Sequence, residues 1–346
     1  MPGGTRVLTR ADVLRLLPMG DCIAAVEAAF RDHALGRAIA PQVLGIHVEG
    51  GGFHIKTAGL LGERPVFAAK VNGNFGDNEA RFGLPRIQGI IVLCDARRGS
   101  PLAVMDSSEI TALRTAAATA VAARHLARPG ATSVLIAGCG RQSRSQLAAV
   151  AAVRPITCAL AVDKDPLRAR AFAREMTAAL GFPVAAAPEL APAARQCGIV
   201  VTCTSAQGIV LQDGDVAPGT FVAAVGADSE SKQEIAPALM ARAAVVPDLL
   251  EQAAAIGDLH HAILAGAMRR EDVRAELGAV VAGCAKGRLD EEEVVIFDST
   301  GTALQDVAAA ALVYDRAVRL GAGLTLDFQD GARWNAAQVP AFRVTM

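Results

Sequence analysis

The chain has 346 residues, 52% of them hydrophobic, and a formal net charge of −1. That length holds two domains with cores of their own. A near-neutral charge without a Lys/Arg-dense segment excludes a nucleic-acid footprint and makes a small molecule the expected ligand. No eighteen apolar residues run without a charge or breaker, so no membrane span is expected.

Charges interrupt the apolar stretch Leu8–Leu17, unlike a signal peptide. The seven cysteines (22, 94, 139, 158, 197, 203 and 284) form no C-x-x-C pair and no metal-ligand spacing. Most lie in strand-like contexts where Cys acts as a small hydrophobe, so reduced thiols in a cytoplasmic protein without a metal site are expected.

Two helices open the chain, Ala11–Leu17 and Cys22–Leu35, the second closed by Gly36. The period then changes to two. Val43–Val48 and Phe53–Ala58 flank Glu49-Gly-Gly-Gly52, a glycine-rich hairpin. Val66–Val71 and Ile87–Cys94 continue the strands, and the turn formers of Asn72-Gly-Asn-Phe-Gly-Asp-Asn78 read as a loop between them. Asp106–Leu126 is a long helical pattern stopped by Pro129-Gly130. From 131 to 300, strands at 132–137, 157–162, 183–187, 198–203, 220–225 and 243–247 alternate with helices, which implies a parallel, doubly wound α/β sheet. A strand-like Val294–Asp298 precedes the last long helix, Ala303–Leu320, which is expected to pack back on the N-terminal region.

The first strand of the alternating region breaks at Gly138-Cys-Gly140 and re-enters a helix near Ser143. A glycine pair there permits a tight turn whose helix-end N–H groups face a pyrophosphate. About twenty residues on, the next strand ends in Asp163, where a carboxylate accepts hydrogen bonds from an adenosine ribose and repels the 2′-phosphate of NADP. Ser143 stands where the fingerprint has its third glycine.

Several other residues carry chemistry. Period two puts His54 and Lys56 on one strand face. Lys70 ends an apolar run, either snorkelling from a strand end or placed in a cleft. Arg114 is the one charge between Glu109 and Arg124, placed to meet a phosphate or carboxylate bidentately or held in a structural ion pair. Asp228 follows the strand Phe221–Val225 at the end where ligands bind. It reads equally as a general acid/base, its pKa raised by low dielectric, or as a cap of a following helix. The hydroxyls of Thr202-Cys-Thr-Ser205 end another strand within reach of a ribose or phosphate. His260-His261 lacks helical partners for a metal, and His33, His47 and His125 are isolated.

Together these segments resemble the ornithine cyclodeaminase/mu-crystallin family. The resemblance rests on Ala69-Lys-Val-Asn-Gly73, Gly83-Leu-Pro-Arg-Ile-Gln-Gly89, Pro101-Leu-Ala-Val-Met-Asp106 and Thr111-Ala-Leu-Arg-Thr-Ala116. It continues through Gly138–Ser143, Val225-Gly-Ala-Asp228 with Lys232-Gln-Glu234, and Phe297-Asp-Ser-Thr-Gly301, in order along nearly the whole chain. Gly36–Val43 and the Gly-Cys-Gly turn look like the archaeal-type alanine dehydrogenase branch, and Phe53-His-Ile-Lys56 like the iminosuccinate/ketimine reductase branch.

The resemblance implies a Rossmann NAD-binding domain (121–302) and an α+β substrate and dimerisation domain built from both chain ends (1–120 with 303–346), in a homodimer. It implies catalytic roles for Lys70 and Asp228 and an anion-binding role for Arg114. It places cofactor contacts on Arg114, Thr115, Gly138, Cys139, Gly140, Arg141, Gln142, Ser143, Asp163, Lys164, Cys203, Thr204, Ser205, Val225, Gly226, Ala227, Lys232 and Ser299. Gln42 stands where cyclodeaminases carry a basic residue, and His54 about where the alanine dehydrogenase branch has arginine, so substrate carboxylate binding is expected to move to Lys56 with His54 beside it. No extra acid for a δ-ammonium is identifiable.

The function so implied is an NAD(H)-dependent imine reductase or amino-acid dehydrogenase acting on a small α-imino or α-amino acid. The competing readings are a redox-neutral ornithine cyclodeaminase with tightly bound NAD and a non-catalytic, crystallin-like nucleotide-binding protein.

Overall fold

The computed structural model describes residues 4–327; the stretch 328–346, assigned above to the outer domain, lies outside the described residues. The chain begins with strand β1 (Thr5–Leu8) and helices α1 (Arg10–Leu16) and α2 (Met19–Ala34). Next come β2 (Ala38–Val48), β3 (Gly51–Leu60), β4 (Val66–Phe75), the short α3 (Asn78–Phe82), β5 (Ile87–Asp95), β6 (Pro101–Asp106) and the long α4 (Ser107–Leu126). With β14 (Leu324–Leu326) these strands form one sheet in the order β14-β1-β6-β5-β4-β3-β2. Strands β2 to β6 pair antiparallel in succession, and β1 is parallel to β6.

Two expectations change here. The stretch Asn72–Phe75 is strand, not loop, because β4 is paired on both edges, with β3 through Gly51↔Phe75 and with β5 through Asn74↔Ile87. Ladder hydrogen bonds from two neighbours override local turn preference. Strands β1 and β6, outside the predicted strands, also join this sheet.

The second sheet follows α4. It alternates β7 (Ser133–Ala137), α5 (Arg141–Val153), β8 (Cys158–Val162), α6 (Pro166–Leu180), β9 (Val184–Ala186), α7 (Leu190–Arg195) and β10 (Ile199–Thr202). It continues through β11 (Phe221–Ala224), α8 (Pro237–Arg242), β12 (Ala244–Pro247), α9 (Leu250–Ile256), α10 (Asp258–Leu264), α11 (Leu277–Val281) and β13 (Val295–Asp298). All seven strands are parallel, in the order β12-β13-β11-β10-β7-β8-β9. The order reverses between β7 and β10, the switch point where a doubly wound sheet opens a crevice.

Helix α12 (Ala303–Leu320) returns to pack on β3, β4, α2 and α4, as expected. Helix α4 touches strands of both sheets. Its alanines 116–118, 120, 122 and 123 are all buried, because a helix with small apolar residues on every side can be enclosed on every side. The core between the sheets is completed by large side chains such as Phe30, Ile91, Leu93, Phe221 and Phe297, each contributing about 1.5–3 kcal/mol by leaving water.

Candidate active site

At the switch point, Gly138 adopts φ +93°, and a Cβ there would sit 3.0 Å from the Cys203 carbonyl oxygen. Only glycine turns this corner so close to β10. Gly140 caps α5 without a side-chain hydrogen bond, and a Cβ on it would meet nothing within 4 Å. The first N–H groups of a thirteen-residue helix therefore lack a side-chain acceptor beside open space, an arrangement suited to an anion. Asp163 accepts hydrogen bonds from the N–H groups of Cys139 (2.8 Å) and Asp165 (2.9 Å), so turn and acid are locked together. Lys164 beside it is exposed, and Thr115 is half-buried on α4.

Other side chains of the turn are engaged within the protein. Arg141 is ion-paired with Glu109, Gln142 Nε2 donates to the Ala112 carbonyl (3.1 Å), and the Ser143 hydroxyl donates to the Gly140 carbonyl (2.6 Å). The Cys203 thiol lies on the Gly138 carbonyl (3.2 Å), and burial pushes its pKa well up. Ser299, after β13, has a buried hydroxyl with no partner.

Glu234, quoted in the sequence only as part of a motif, organises the neighbouring loops. Its buried carboxylate accepts from the Thr202 hydroxyl and from the N–H groups of Thr204 and Gly226, each at 2.7 Å. Burial pushes its pKa up against the pull of these bonds. The Thr202 hydroxyl is thus committed to Glu234 instead of a ribose or phosphate, and the backbone donors of Thr204 and Gly226 are committed with it. Glycine is required at 226 because a Cβ would overlap the Glu234 carboxyl group. Val225 and Ala227 are buried on either side, and Ser205 is exposed.

A cleft of about 740 Å³ opens between the sheets, lined by His54 and Lys56 of β3, Asp228 and Ser229 after β11, and Leu249 and Gln252 around α9. Lys56 is buried and donates to the carbonyls of Gly301 (2.6 Å) and Thr300 (3.3 Å). Burial pulls its pKa down, and Arg114 adds to that. Its ammonium is therefore partly committed to the loop before α12, and only in part available to a substrate.

Asp228 projects into the cleft with 49% of its side chain exposed and pairs with Lys232. No helix follows it until Pro237, so it caps none. Burial raises its pKa, but the Lys232 ammonium, with Lys56 and His54, outweighs this and holds the carboxyl below its usual range. The expected upward shift is reversed by this i+4 lysine. His54 is shifted down by burial and then by Lys56, so its imidazole stays neutral near pH 7.

Behind Lys56 lies a buried ion cluster. Lys70 does not snorkel to solvent; it is buried with its Nζ 2.7 Å from Asp306 Oδ2. Burial pulls its pKa down, Asp306 pulls it back, and Arg114 and Lys56 lower it again, to about 7. Arg114 donates from Nε to Asp306 Oδ1 (2.8 Å) and from Nη1 to Gln305 Oε1 (2.7 Å). Sequence reading missed Asp306. Its one signal is an acid that, with Gln305, interrupts the otherwise apolar run Ala303–Val313.

Among the remaining histidines, His33 and His47 also line the cleft. His125 contacts Glu27, His260 the Ala254 carbonyl and His261 the Lys232 carbonyl. No three His, Cys, Asp or Glu side chains are grouped for a metal among the described residues. No helix there is long and apolar enough to cross a membrane.

The family model for ornithine cyclodeaminase/mu-crystallin matches residues 4–320. The fold superimposes on an archaeal alanine dehydrogenase dimer with bound NAD at a TM-score of 0.89, with 36% identity over 94% of this chain and 99% of that one. It superimposes equally, at 0.89, on the Thermococcus litoralis Δ1-pyrroline-2-carboxylate reductase in complex with NADH and L-proline, with 32% identity over 93% of this chain and all (100%) of that one. The iminosuccinate reductase of Paracoccus denitrificans is 38% identical over 249 residues, 72% of this chain and 77% of that protein.

Proposed function

Because the chain belongs to the ornithine cyclodeaminase/mu-crystallin family, we propose that it is an NAD(H)-dependent oxidoreductase interconverting a small α-imino acid and its α-amino acid. The observation that carries this reading is the charge arrangement at the inner end of the cleft. Lys56, Lys70 and Arg114 stand there with Asp306 as the carboxylate they share, and Asp228 faces Lys56 from the second sheet. Such a surplus of cations calls for an anion, and the carboxylate of an α-imino acid supplies one.

The residues fit a dinucleotide. The open N-terminus of α5 and the Gly138–Gly140 turn suit the pyrophosphate, Asp163 the adenosine ribose, and the unpartnered Ser299 hydroxyl a further polar contact. When bound, the nicotinamide supplies or takes the hydride at the substrate α-carbon.

The protein's own groups do the rest. Arg114 has Nη2 left after its two bonds, and it orients the carboxylate with Lys56 and Lys70; orientation alone is worth several kcal/mol. Lys70, poised near neutrality, polarises the imine or exchanges a proton with it. Asp228, held ionised, accepts the nitrogen proton or stabilises the cationic iminium.

A homodimer accords with the first sheet, whose face away from α12 exposes Leu44, Ile46, Phe53 and Ile90. Apolar patches of this kind mark interfaces.

The test is a panel of 2-oxo acids with ammonia or methylamine, together with preformed cyclic imines, followed by NADH loss. Turnover of one class supports the reading. No turnover, with NADH still raising the melting temperature, favours the crystallin-like alternative. One observation favours the cyclodeaminase reading: Glu230, Glu251 and Glu276 line the cleft, offering acids for a distal ammonium that the sequence alone did not reveal. Ammonia release from a diamino acid without NADH build-up would establish it.

A further inference from the structure

We propose that Asp306 is a positioning residue for this reaction: it divides its two carboxylate oxygens between Lys70 and Arg114, favouring the charged form of the Lys70 amine and leaving Arg114 Nη2 without a hydrogen bond inside the protein. The proposal rests on the function proposed above. Asp306 is buried in the first turn of α12, where the helix N-terminus favours a negative charge. Oδ1 takes Arg114 Nε at 2.8 Å, and Oδ2 lies 2.7 Å from Lys70 Nζ. Gln305 holds Arg114 Nη1, and Gly301 packs so closely that a Cβ would sit 2.6 Å from that nitrogen. The guanidinium is thereby held through Nε and Nη1, and Nη2 is left to meet a ligand.

The charged groups facing Lys70 come from three elements: Asp306 of α12, Arg114 of α4 and Lys56 of β3, with Asp228 and Asp248 beyond Lys56. A buried ammonium beside two other cations is sustained only by an adjacent carboxylate. Asp306 is the carboxylate that Lys70 touches among the described residues. A substrate carboxylate entering the cluster adds a second negative charge, so anion binding and Lys70 protonation reinforce each other.

The chain has five lysines (56, 70, 164, 232 and 286), so NMR of the protein labelled with ¹³C at lysine Cε gives few signals, assignable by substitution. In Asp306→Asn, with NADH-induced thermal stabilisation as the check on folding, the Lys70 midpoint falls by about one pH unit or more. The alkaline limb of kcat/KM moves down with it, and Asp306→Glu restores both. An unchanged midpoint in Asp306→Asn overturns the proposal. Should that variant not fold, Arg114→Gln removes a competing cation and raises the midpoint instead; no movement there overturns it equally. The titration needs no substrate, so a wild type without turnover defeats the proposed function and leaves this test standing.

Discussion

Lys56 and Lys70 stand directly opposite each other across β3 and β4, both buried on the face that meets α12. Like charges at a cross-strand pair are destabilising, and burial adds to the cost. Such an arrangement is retained where an anion must be bound. Lys70→Met is expected to raise the melting temperature while lowering turnover about 100-fold or more. A Lys70→Met enzyme at the wild-type rate would sink the assignment.

Asp228→Asn removes the ionised group at the cleft while keeping its shape. Turnover is expected to fall by about 10²–10⁴-fold, with NADH affinity little changed. Equilibrium titration with NADH separates the two effects, and a large loss of NADH affinity would make Asp228 a cofactor residue instead.

The low pKa of Asp228 depends on Lys232. In Lys232→Met the ionised carboxylate loses its ammonium, so its pKa rises and the acid limb of kcat/KM moves to higher pH. An acid limb that stays in place would show that Asp228 does not govern it.

Glu234→Ala leaves the Thr202 hydroxyl and the N–H groups of Thr204 and Gly226 without their acceptor. At about 1–3 kcal/mol for each buried unpaired group, chemical denaturation is expected to show a loss on the order of 3 kcal/mol or more. Glu234→Gln should lose less, since its amide oxygen still accepts. Equal losses in both variants would contradict the geometry.

Asp258 accepts from the N–H groups of Glu234 and Ile235, yet its Oδ2 has no partner. Burial, then Glu234, raises its pKa to about 7. A carboxyl raised in the fold releases its proton earlier when unfolded, so stability is lost as pH rises from its ordinary value of 3.8 to about 7. Asp258→Asn removes that loss. Its melting temperature should exceed the wild type's at pH 8, by more than at pH 5. A gain independent of pH would point to packing instead of titration.

The second sheet was legible because its signals are local. The strand before Gly138-Cys-Gly140, the helix after it and Asp163 at the end of the next strand are matters of backbone period and glycine conformation within some thirty residues. Lys70, Arg114 and Asp228 stood out as charges in apolar runs, since a charge is rarely left there without a use. The pairing of those charges was not legible. Asp306 meets Arg114 across 192 positions of chain, and Glu234 ties together the ends of β10 and β11. Tertiary structure also made Asn72–Phe75 a strand, by pairing both of its edges, and turned the Asp228 shift downward by folding Lys232 onto it without a helix. Periodicity is encoded residue by residue, whereas the energy of a charge depends on its depth and on which opposite charge lies within a few ångströms, and only the packing of α12 and α4 against each other and on the first sheet decides that.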